Sequence, residues 1–297
     1  MSDLSAAASA STTRRGRPAG MNDLHSRGGW SRDSGPQGAR VWNHWLGGRD
    51  SYLHDREAAA RLEERAPGTR TAARHHQACT MRATAHMAAQ GIDQFLDIGV
   101  GLPVTGSTHQ IVQNIHPGAR VVYADNDPVV MAHARALLVG DRAGSVGHLD
   151  ADLAQPDELL FNAADMLDFH RPVGIVLTGV MECILDHDQA RRIVQRLIRT
   201  APAGSCLLFT HLSAWSGRPG WRPPAADSLV AAWNKTVRPL ITARAPEQIH
   251  GLLDGLELLG PGLAPCERWS LQPSPPPAPP AAPDQVQWLC ALGRLPF

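Results

Sequence analysis

Several features that define other classes of protein are missing from this sequence. No stretch approaches the ~20 uninterrupted apolar residues of a transmembrane helix. Charge is balanced, with 28 acidic and 28 basic residues. A neutral chain without a basic block is a poor candidate for binding nucleic-acid backbones. We therefore expect neither a membrane nor a nucleic acid as partner.

The cysteines also lack any recognisable pattern. There are five, scattered along the chain, and no two form a CxxC pair, so we predict neither a structural zinc site nor a disulfide framework. The segments 75–76 and 186–188 contain histidine but no third ligand at a suitable spacing, and we predict no metal site. The N-terminus has no apolar core followed by a cleavage site. Together these features predict a reduced, cytoplasmic protein.

Composition divides the chain into three parts. Residues 1–35 lack a hydrophobic period and are rich in Gly, Ser, Arg and Pro, which predicts a disordered tail. Over 36–90 the apolar residues recur at helical spacing, which predicts a helical N-terminal region that caps the rest. From 91 to 297 short apolar runs alternate with helical stretches. This alternation predicts a parallel sheet with right-handed crossover helices.

Seven strands can be placed in the α/β region from its apolar runs. They are predicted at 94–98, 120–124, 145–149, 173–179, 205–210, 256–259 and 285–292. Residues 211–245 interrupt the alternation and hold Trp215, Trp221 and Trp233, so we interpret them as an insertion. Seven of the eleven residues at 273–283 are proline, which predicts an extended loop.

The most informative segment is 95–103, FLDIGVGLP, where a predicted buried strand ends in an acid followed by two glycines. Glycines at the carboxyl end of a first strand let the backbone approach a ligand closely. A dinucleotide fingerprint would need a third glycine where Val104 stands, so a nicotinamide oxidoreductase is disfavoured. The Asp97 carboxylate would repel a pyrophosphate but could accept a hydrogen bond from a ligand ammonium group.

Acids follow the next two predicted strands as well. Asp125 ends the second strand, where a carboxylate can accept hydrogen bonds from ribose hydroxyls. After the third strand, Asp150 or Asp152 could accept from an adenine amino group, and Leu153 could pack on the ring. Three acids on successive strand ends predict a pocket for a nucleoside that carries positive charge. S-adenosylmethionine fits, because it has a sulfonium and an ammonium group and no phosphate.

Candidates for the chemical step follow the fourth and fifth strands, where a methyl acceptor would lie. Methyl transfer is an in-line displacement at an activated sulfonium carbon, so the protein mainly supplies proximity and alignment. Glu182 and His211 could each act as a general base. Equally, Glu182 could cap the next helix or hold the cofactor ammonium group, and His211 could be a satisfied strand-end histidine. The three tryptophans of the insertion could wall an acceptor pocket or only pack the insertion onto the sheet.

Five segments of the chain, two of which contain the motifs described above, occur in a set order. They are ARVWNHWLGGRD at 39–50, DREA at 55–58, GIDQFLDIGVGLP at 91–103, ARVVYADNDP at 119–128 and DFHRPV at 168–173. In this order the chain, from about residue 39 to 294, resembles an actinobacterial family of S-adenosylmethionine-dependent methyltransferases, formerly a domain of unknown function. The resemblance implies a class I methyltransferase fold, an α/β doubly wound sheet of seven strands with the last antiparallel, and an N-terminal helical extension.

The resemblance also implies roles for individual residues. Cofactor binding is implied for Asp97, Gly99, Gly101, Asp125, Asn126 and Asp152. Closure of the pocket from above is implied for Arg40, Asn43, Gly48 and Arg49. The chain departs from the family pattern at His76 and Gln77, where an Asn-Arg pair is usual, and at Glu182, where a histidine is usual.

We therefore expect an enzyme that transfers a methyl group from S-adenosylmethionine to a small-molecule acceptor of the kind found in specialised metabolism. A second hypothesis is a catalytically inactive protein that binds S-adenosylmethionine and serves as a regulator or partner subunit. Tight cofactor binding without turnover of any metabolite would favour the second.

Overall fold

The computed structural model describes residues 35–140, 143–214, 225–271 and 286–296. The predicted proline-rich loop and all but the last residue of the predicted N-terminal tail lie outside these ranges. The described chain begins with three helices, which are α1 (Gly38–Trp45), α2 (Leu53–Arg65) and α3 (Thr69–Ala89). Gly68, at a φ of 86°, allows the sharp turn from α2 into α3.

From residue 94 onward, strands and helices alternate. The strands are β1 (Gln94–Ile98), β2 (Arg120–Asp125), β3 (Ser145–Asp150), β4 (Gly174–Leu177), β5 (Cys206–Leu212), β6 (Glu257–Leu258), β7 (Ala264–Pro265) and β8 (Trp288–Arg294). The helices are α4 (Thr108–Ile115), α5 (Pro128–Leu137), α6 (Pro156–Ala163), α7 (His187–Thr200), α8 (Ala225–Thr236) and α9 (Pro246–Leu252). A single 3₁₀ turn, Met181–Cys183, follows β4. Helix α6 was not predicted from the sequence, and α8 lies within the segment interpreted as an insertion.

The strands form one sheet in the order β3-β2-β1-β4-β5-β8-β6, with β7 also pairing with β8. Strands β1 to β5 are parallel, whereas β8 runs antiparallel to β5, β6 and β7. This arrangement confirms the predicted doubly wound α/β fold with an antiparallel last strand. The described sheet has eight strands rather than seven because β7, a two-residue strand that contains Pro265, leaves no periodic pattern in the sequence.

Each face of the sheet is covered by helices. Residues of α1 to α5 and α8 form one buried cluster with the first face, with Trp45, Met87 and Tyr123 among its largest members. Residues of α6, α7 and α9 form a second cluster on the other face, around Leu96 and Phe209. Burial on both faces explains the unbroken apolar runs of the central strands. Within the described ranges, no helix is both long and apolar enough to cross a bilayer.

A buried carboxylate joins the first two helices. Asp55 is fully buried and accepts hydrogen bonds from the backbone N–H of Gln37 at 3.0 Å and of Tyr52 at 2.9 Å. It also accepts one from Nε of Arg40 at 2.8 Å. The Arg40 guanidinium lies 5.1 Å from the centre of the Tyr52 ring. One side chain thus fixes the start of α1 against the start of α2.

Replacing Asp55 by alanine is expected to cost about 3–5 kcal/mol in the free energy of unfolding, because it leaves the Arg40 cation buried and unpaired. Glu57→Ala, at an exposed position of the same helix, is the matched control and should change stability by no more than about 0.5 kcal/mol. Urea denaturation followed by circular dichroism measures both. Equal losses in the two variants would contradict the assignment.

Candidate functional site

The three predicted acids lie in a row at the carboxyl edge of the sheet. Asp97 is the fourth residue of β1, Asp125 ends β2, and Asp152 follows the end of β3. The strands that carry them are direct neighbours, and their pairing continues past the last residue of β1, where Gly99 N–H donates to the carbonyl of Ala124 at 2.8 Å. The sheet therefore gathers acids that are up to 55 positions apart in the chain.

Two glycines shape the loop after β1. Gly99 and Gly101 have φ values of 77° and 63°, in the region that favours glycine. A Cβ atom on Gly99 would lie 2.5 Å from Cγ2 of Val180, in the turn after β4. The N–H of Gly101 donates to Oδ2 of Asp125 at 3.2 Å. The loop thus exposes backbone rather than side chains between the ends of β1 and β4, as a close-fitting ligand requires.

Burial raises the pKa values of the first two acids, Asp97 and Asp125. Asp97 is only 9% exposed, and its burial raises its pKa from 3.8 to about 6. A hydrogen bond at 2.7 Å from the hydroxyl of Thr108 opposes this rise in pKa, and the charge of Asp125 adds to it. Burial also raises the pKa of Asp125, although the backbone N–H groups of Asp127 and Gly101 donate to it. Both carboxylates are held in place but poorly solvated.

The row of acids carries negative charge that the described residues do not neutralise. Within the described ranges, no arginine, lysine or histidine forms an ion pair with Asp97, Asp125 or Asp152. Asp150, by contrast, is paired with Arg135. Asp152 is therefore a better candidate than Asp150 for contact with a ligand. In the same part of the chain, no group of three His, Cys, Asp or Glu side chains is arranged to hold a metal ion.

Two further predicted cofactor residues, each next to one of these acids, differ in exposure. Leu153 is buried in the second core cluster, and Asn126, after β2, is exposed. The Asp152 carboxylate accepts from the N–H of Ala154 at 2.9 Å.

The four N-terminal residues that were expected to close the pocket behave differently from one another. Arg40 is committed to Asp55, as described above. Asn43 is 1% exposed and its Oδ1 accepts from the N–H of Asp50 at 3.0 Å, but its Nδ2 is buried and has no partner among the described residues. A Cβ on Gly48 would lie 2.3 Å from that Nδ2, so a larger residue there would displace the Asn43 side chain. Arg49 is exposed and makes no hydrogen bond or ion pair with any described residue.

His211, one of the two predicted bases, has no free ring nitrogen. Nδ1 lies 2.8 Å from the carbonyl of Leu212, and Nε2 lies 2.6 Å from Nη1 of Arg244. Because arginine only donates, Nε2 must accept and Nδ1 must carry the proton. Burial, together with the Arg244 charge, lowers the His211 pKa to about 3. These contacts favour the alternative of a satisfied strand-end histidine and disfavour a role as base.

Glu182, the other predicted base, keeps one oxygen free. It lies in the 3₁₀ turn after β4, where its Oε1 accepts from the N–H of Leu212 at 2.8 Å and from Nε1 of Trp288 at 3.0 Å. Its Oε2 is buried and has no partner within the described residues. Burial raises the Glu182 pKa from 4.5 to about 7. Glu182 does not cap α7, because Asp186 does so by accepting from the N–H of Gln189 at 2.6 Å.

An aromatic cluster that was not predicted from the sequence lies beside Glu182. It is formed by Trp42 of α1, His76 of α3 and Trp288 of β8. The ring centres of Trp42 lie 5.1 Å from those of both His76 and Trp288, and His76 lies 6.0 Å from Trp288. These residues are far apart in sequence, so no local motif contains them. The one available signal was the departure from the family pattern at His76.

The tryptophans of the predicted insertion contribute less than expected. Trp215 and Trp221 lie outside the described residues. Trp233 is 3% exposed on α8, its ring centre lies 6.0 Å from that of Trp45, and its Nε1 donates to the carbonyl of Pro239 at 2.8 Å. Trp233 therefore has a packing role, as the second of the two alternatives expected, but it packs α8 onto the N-terminal helices rather than onto the sheet.

The strand order, the antiparallel β8 and the row of acids at the ends of β1 to β3 together define a class of protein, the class I methyltransferases. The family model for S-adenosyl methyltransferases matches residues 32–296, and the chain belongs to that family. It is therefore a methyltransferase that depends on S-adenosylmethionine.

Two solved structures from actinobacteria are similar to this chain over almost its whole length. A candidate methyltransferase from Thermobifida fusca YX is 32% identical with a TM-score of 0.79, and the match covers 90% of this chain and 97% of that one. A DUF574 family protein from Streptomyces avermitilis MA-4680 is 30% identical with a TM-score of 0.79, and the match covers 88% and 98%. No curated protein sequence matches the chain significantly.

Gly99→Ala should destabilise the protein more than Gly68→Ala does. Both positions have positive φ, so each alanine brings left-handed backbone strain of roughly 1–2 kcal/mol. Only at Gly99 does the new methyl group also overlap a neighbour, Val180, whereas Gly68 faces open space. The overlap is expected to add about 1–3 kcal/mol. Chemical denaturation of the two variants measures the difference, and indistinguishable losses would show that the loop is not closely packed.

Proposed function

We propose that this methyltransferase acts on a small-molecule acceptor and that the row of acids binds its cofactor. The observation that carries the proposal is the row itself, in which Asp97, Asp125 and Asp152 have no cationic partner among the described residues. Support for a small acceptor comes from the cover provided by the N-terminal helices. Trp42 and His76 face Gly179 in the turn after β4, so the acceptor side is bordered by aromatic rings rather than by a basic surface. Specialised metabolism and a cytoplasmic location remain our expectations.

The chemistry of these side chains fits S-adenosylmethionine, which when bound supplies a methyl group on an activated sulfonium carbon. In this proposal Asp97 accepts from the ammonium group, Asp125 from the ribose hydroxyls, and Asp152 from the adenine amino group. Leu153 contacts the adenine ring and Asn126 borders it. Gly99 and Gly101 place no side chain in the loop after β1, which leaves space for the ligand.

The N-terminal segment can complete this pocket. The unpartnered Nδ2 of Asn43 is a donor suited to a carboxylate, such as that of the methionine moiety. Gly48 leaves the space that the Asn43 side chain occupies, and exposed Arg49 is free to approach an anionic group. Arg40 acts only indirectly, by fixing α1 against α2.

On the acceptor side we propose Glu182 as the general base. A carboxylate with a pKa near 7 is half ionised at neutral pH, which suits proton transfer at that pH. Its free Oε2 can take a proton, whereas its bonded Oε1 holds the side chain in position. His211 and Arg244 instead support the turn that carries Glu182, because Arg244 donates to the carbonyl of Met181 at 3.1 Å.

Calorimetric titration with S-adenosylmethionine and S-adenosylhomocysteine tests the cofactor site. Both should bind, and Asp125→Ala should weaken binding roughly tenfold or more, since hydrogen bonds to a charged group are worth about 1.5–3 kcal/mol each. Asp150→Ala is the matched control, because that acid lies beside Asp125 but pairs with Arg135. NADH should not bind. Failure of the wild-type protein to bind either adenosyl ligand would overturn the proposal.

The affinity for S-adenosylmethionine should fall as pH drops below about 6, because protonation of Asp97 removes the charge that its ammonium group requires. The expected slope is about tenfold per pH unit, the value for one linked proton. In the ligand-free protein the sign is opposite. The folded state holds this proton more tightly than the unfolded state, so the Asp97 contribution to stability is lost as pH rises from about 4 to about 6.

Titrations between pH 5 and pH 8 on the wild-type protein and on Asp97→Asn measure this dependence. The variant should bind more weakly and show a flat profile across pH 6. A profile that stays as steep in the variant would assign the linked proton to another group.

A further inference from the structure

The sheet order tells where the methyl acceptor must lie. If the adenosyl part of the cofactor lies over the ends of β3 and β2 and the methionine part over β1, then the transferred methyl group points toward β4 and β5, the next strands in the sheet. An in-line displacement places the acceptor atom beyond that methyl group. This reasoning rests on the cofactor site proposed above, and it directs attention to the side chains around the turn after β4.

A chain of hydrogen bonds links that turn to His76. The N–H of Gly179 donates to Oγ1 of Thr210 at 2.9 Å, and the same Oγ1 lies 2.7 Å from Nε2 of His76. Thr210 is fully buried on β5, and its hydroxyl has no other partner among the described residues. Since the amide of Gly179 can only donate, the single hydroxyl proton of Thr210 is satisfied only by donation to Nε2 of His76.

This assignment fixes the tautomer of His76. If Nε2 accepts, the neutral ring carries its proton on Nδ1. Burial keeps the ring neutral by lowering the His76 pKa to about 4. Nδ1 makes no hydrogen bond with any described residue, and this atom is not fully buried. His76 therefore has an accessible N–H donor that no described residue uses.

The surroundings of His76 suit a flat ligand. A Cβ placed on Gly179 would lie 3.6 Å from Cε1 of His76 and 3.9 Å from Cζ2 of Trp42, so both rings border the turn after β4. Trp42 is half-buried, which leaves part of its ring available for contact. Trp288 is 4% exposed and supports the other two rings from the sheet.

We propose that His76 is a specificity-determining residue for the methyl acceptor, that it donates a hydrogen bond from Nδ1–H to an oxygen of the acceptor, and that a flat part of the acceptor packs against Trp42. The acceptor is accordingly a planar, oxygen-bearing molecule. His76 positions it and does not deprotonate it, so the acceptor's proton leaves to another group, for which Glu182 is the candidate.

Two substitutions separate this role from a structural one. The side-chain amide of asparagine reaches the place of Nδ1, whereas that of glutamine reaches the place of Nε2. His76→Asn therefore keeps a donor toward the acceptor and loses the contact with Thr210. His76→Gln keeps the contact with Thr210 and loses the donor. A purely structural histidine would be replaced better by glutamine in every measurement.

The probes are acetophenone and α-methylstyrene, which have the same shape but differ in a carbonyl oxygen against a methylene group. Their binding to protein saturated with S-adenosylhomocysteine is measured by ligand-observed NMR. We expect wild-type protein to prefer acetophenone by about fivefold, in line with one hydrogen bond of about 1 kcal/mol. His76→Asn should keep that preference and His76→Gln should lose it. An unchanged preference in His76→Gln, or none in the wild type, would overturn the proposal.

Two further readouts make the outcome unambiguous. Long-range ¹H–¹⁵N spectra of the imidazole nitrogens should show the Nδ1–H tautomer for His76, and the Nε2–H tautomer would contradict the proposal. Calorimetry with S-adenosylhomocysteine on the same samples separates the two levels of inference. Normal cofactor binding without a preference for acetophenone rejects the role of His76 alone, whereas loss of cofactor binding in the wild type rejects the proposed cofactor site.

Discussion

The site depends on one constraint, which is that parallel strands end at the same edge of their sheet. Acids placed at the ends of β1 and β2 and after β3 must therefore come together, whatever their own repulsion. The fold overcomes this repulsion by burial of both sheet faces, which stabilises the strands independently of what their ends carry. The result is a preorganised negative edge in which Asp97 and Asp125 have raised pKa values. In the cofactor site that we propose, a cationic ligand would relieve this repulsion, which would couple recognition and fold stability at the same atoms.

Around the turn after β4 and the end of β5, the edge of the sheet is held together by hydrogen bonds rather than crowded by like charges. Arg244 bonds to His211 and to the carbonyl of Met181, and Glu182 bonds to Leu212 and Trp288. These contacts connect the turn after β4 to β5 and β8. Because nearly every donor and acceptor in the network is used, the few that are not used stand out as candidates for contact with ligands. In this network Oε2 of Glu182 has no partner among the described residues, and outside it Nδ2 of Asn43 and Nδ1 of His76 are likewise unused.

The parts of the fold that the sequence could predict are those set by local pattern. Apolar runs predicted all five parallel strands. Two elements without such a pattern were missed. They are β7, which has two residues, and α6, which has eight. The gathering of the three candidate acids at one edge could be predicted because each lies at, or just beyond, the carboxyl end of a strand. The role of His211 could not, because it depends on Arg244, 33 positions away, and the aromatic cluster joins three distant elements.

The place of β8 in the sheet has a consequence for biosynthesis. The row of acids is built from residues 97–152, which are synthesised well before the last strand of the sheet. Trp288 enters only with β8, which inserts between β5 and β6. Because a domain generally folds as a unit, a chain that ends before β8 leaves the edge of β5 unpaired, and we expect it to be unable to hold the row of acids as a stable edge. Completion of the site therefore waits for the last strand to be synthesised.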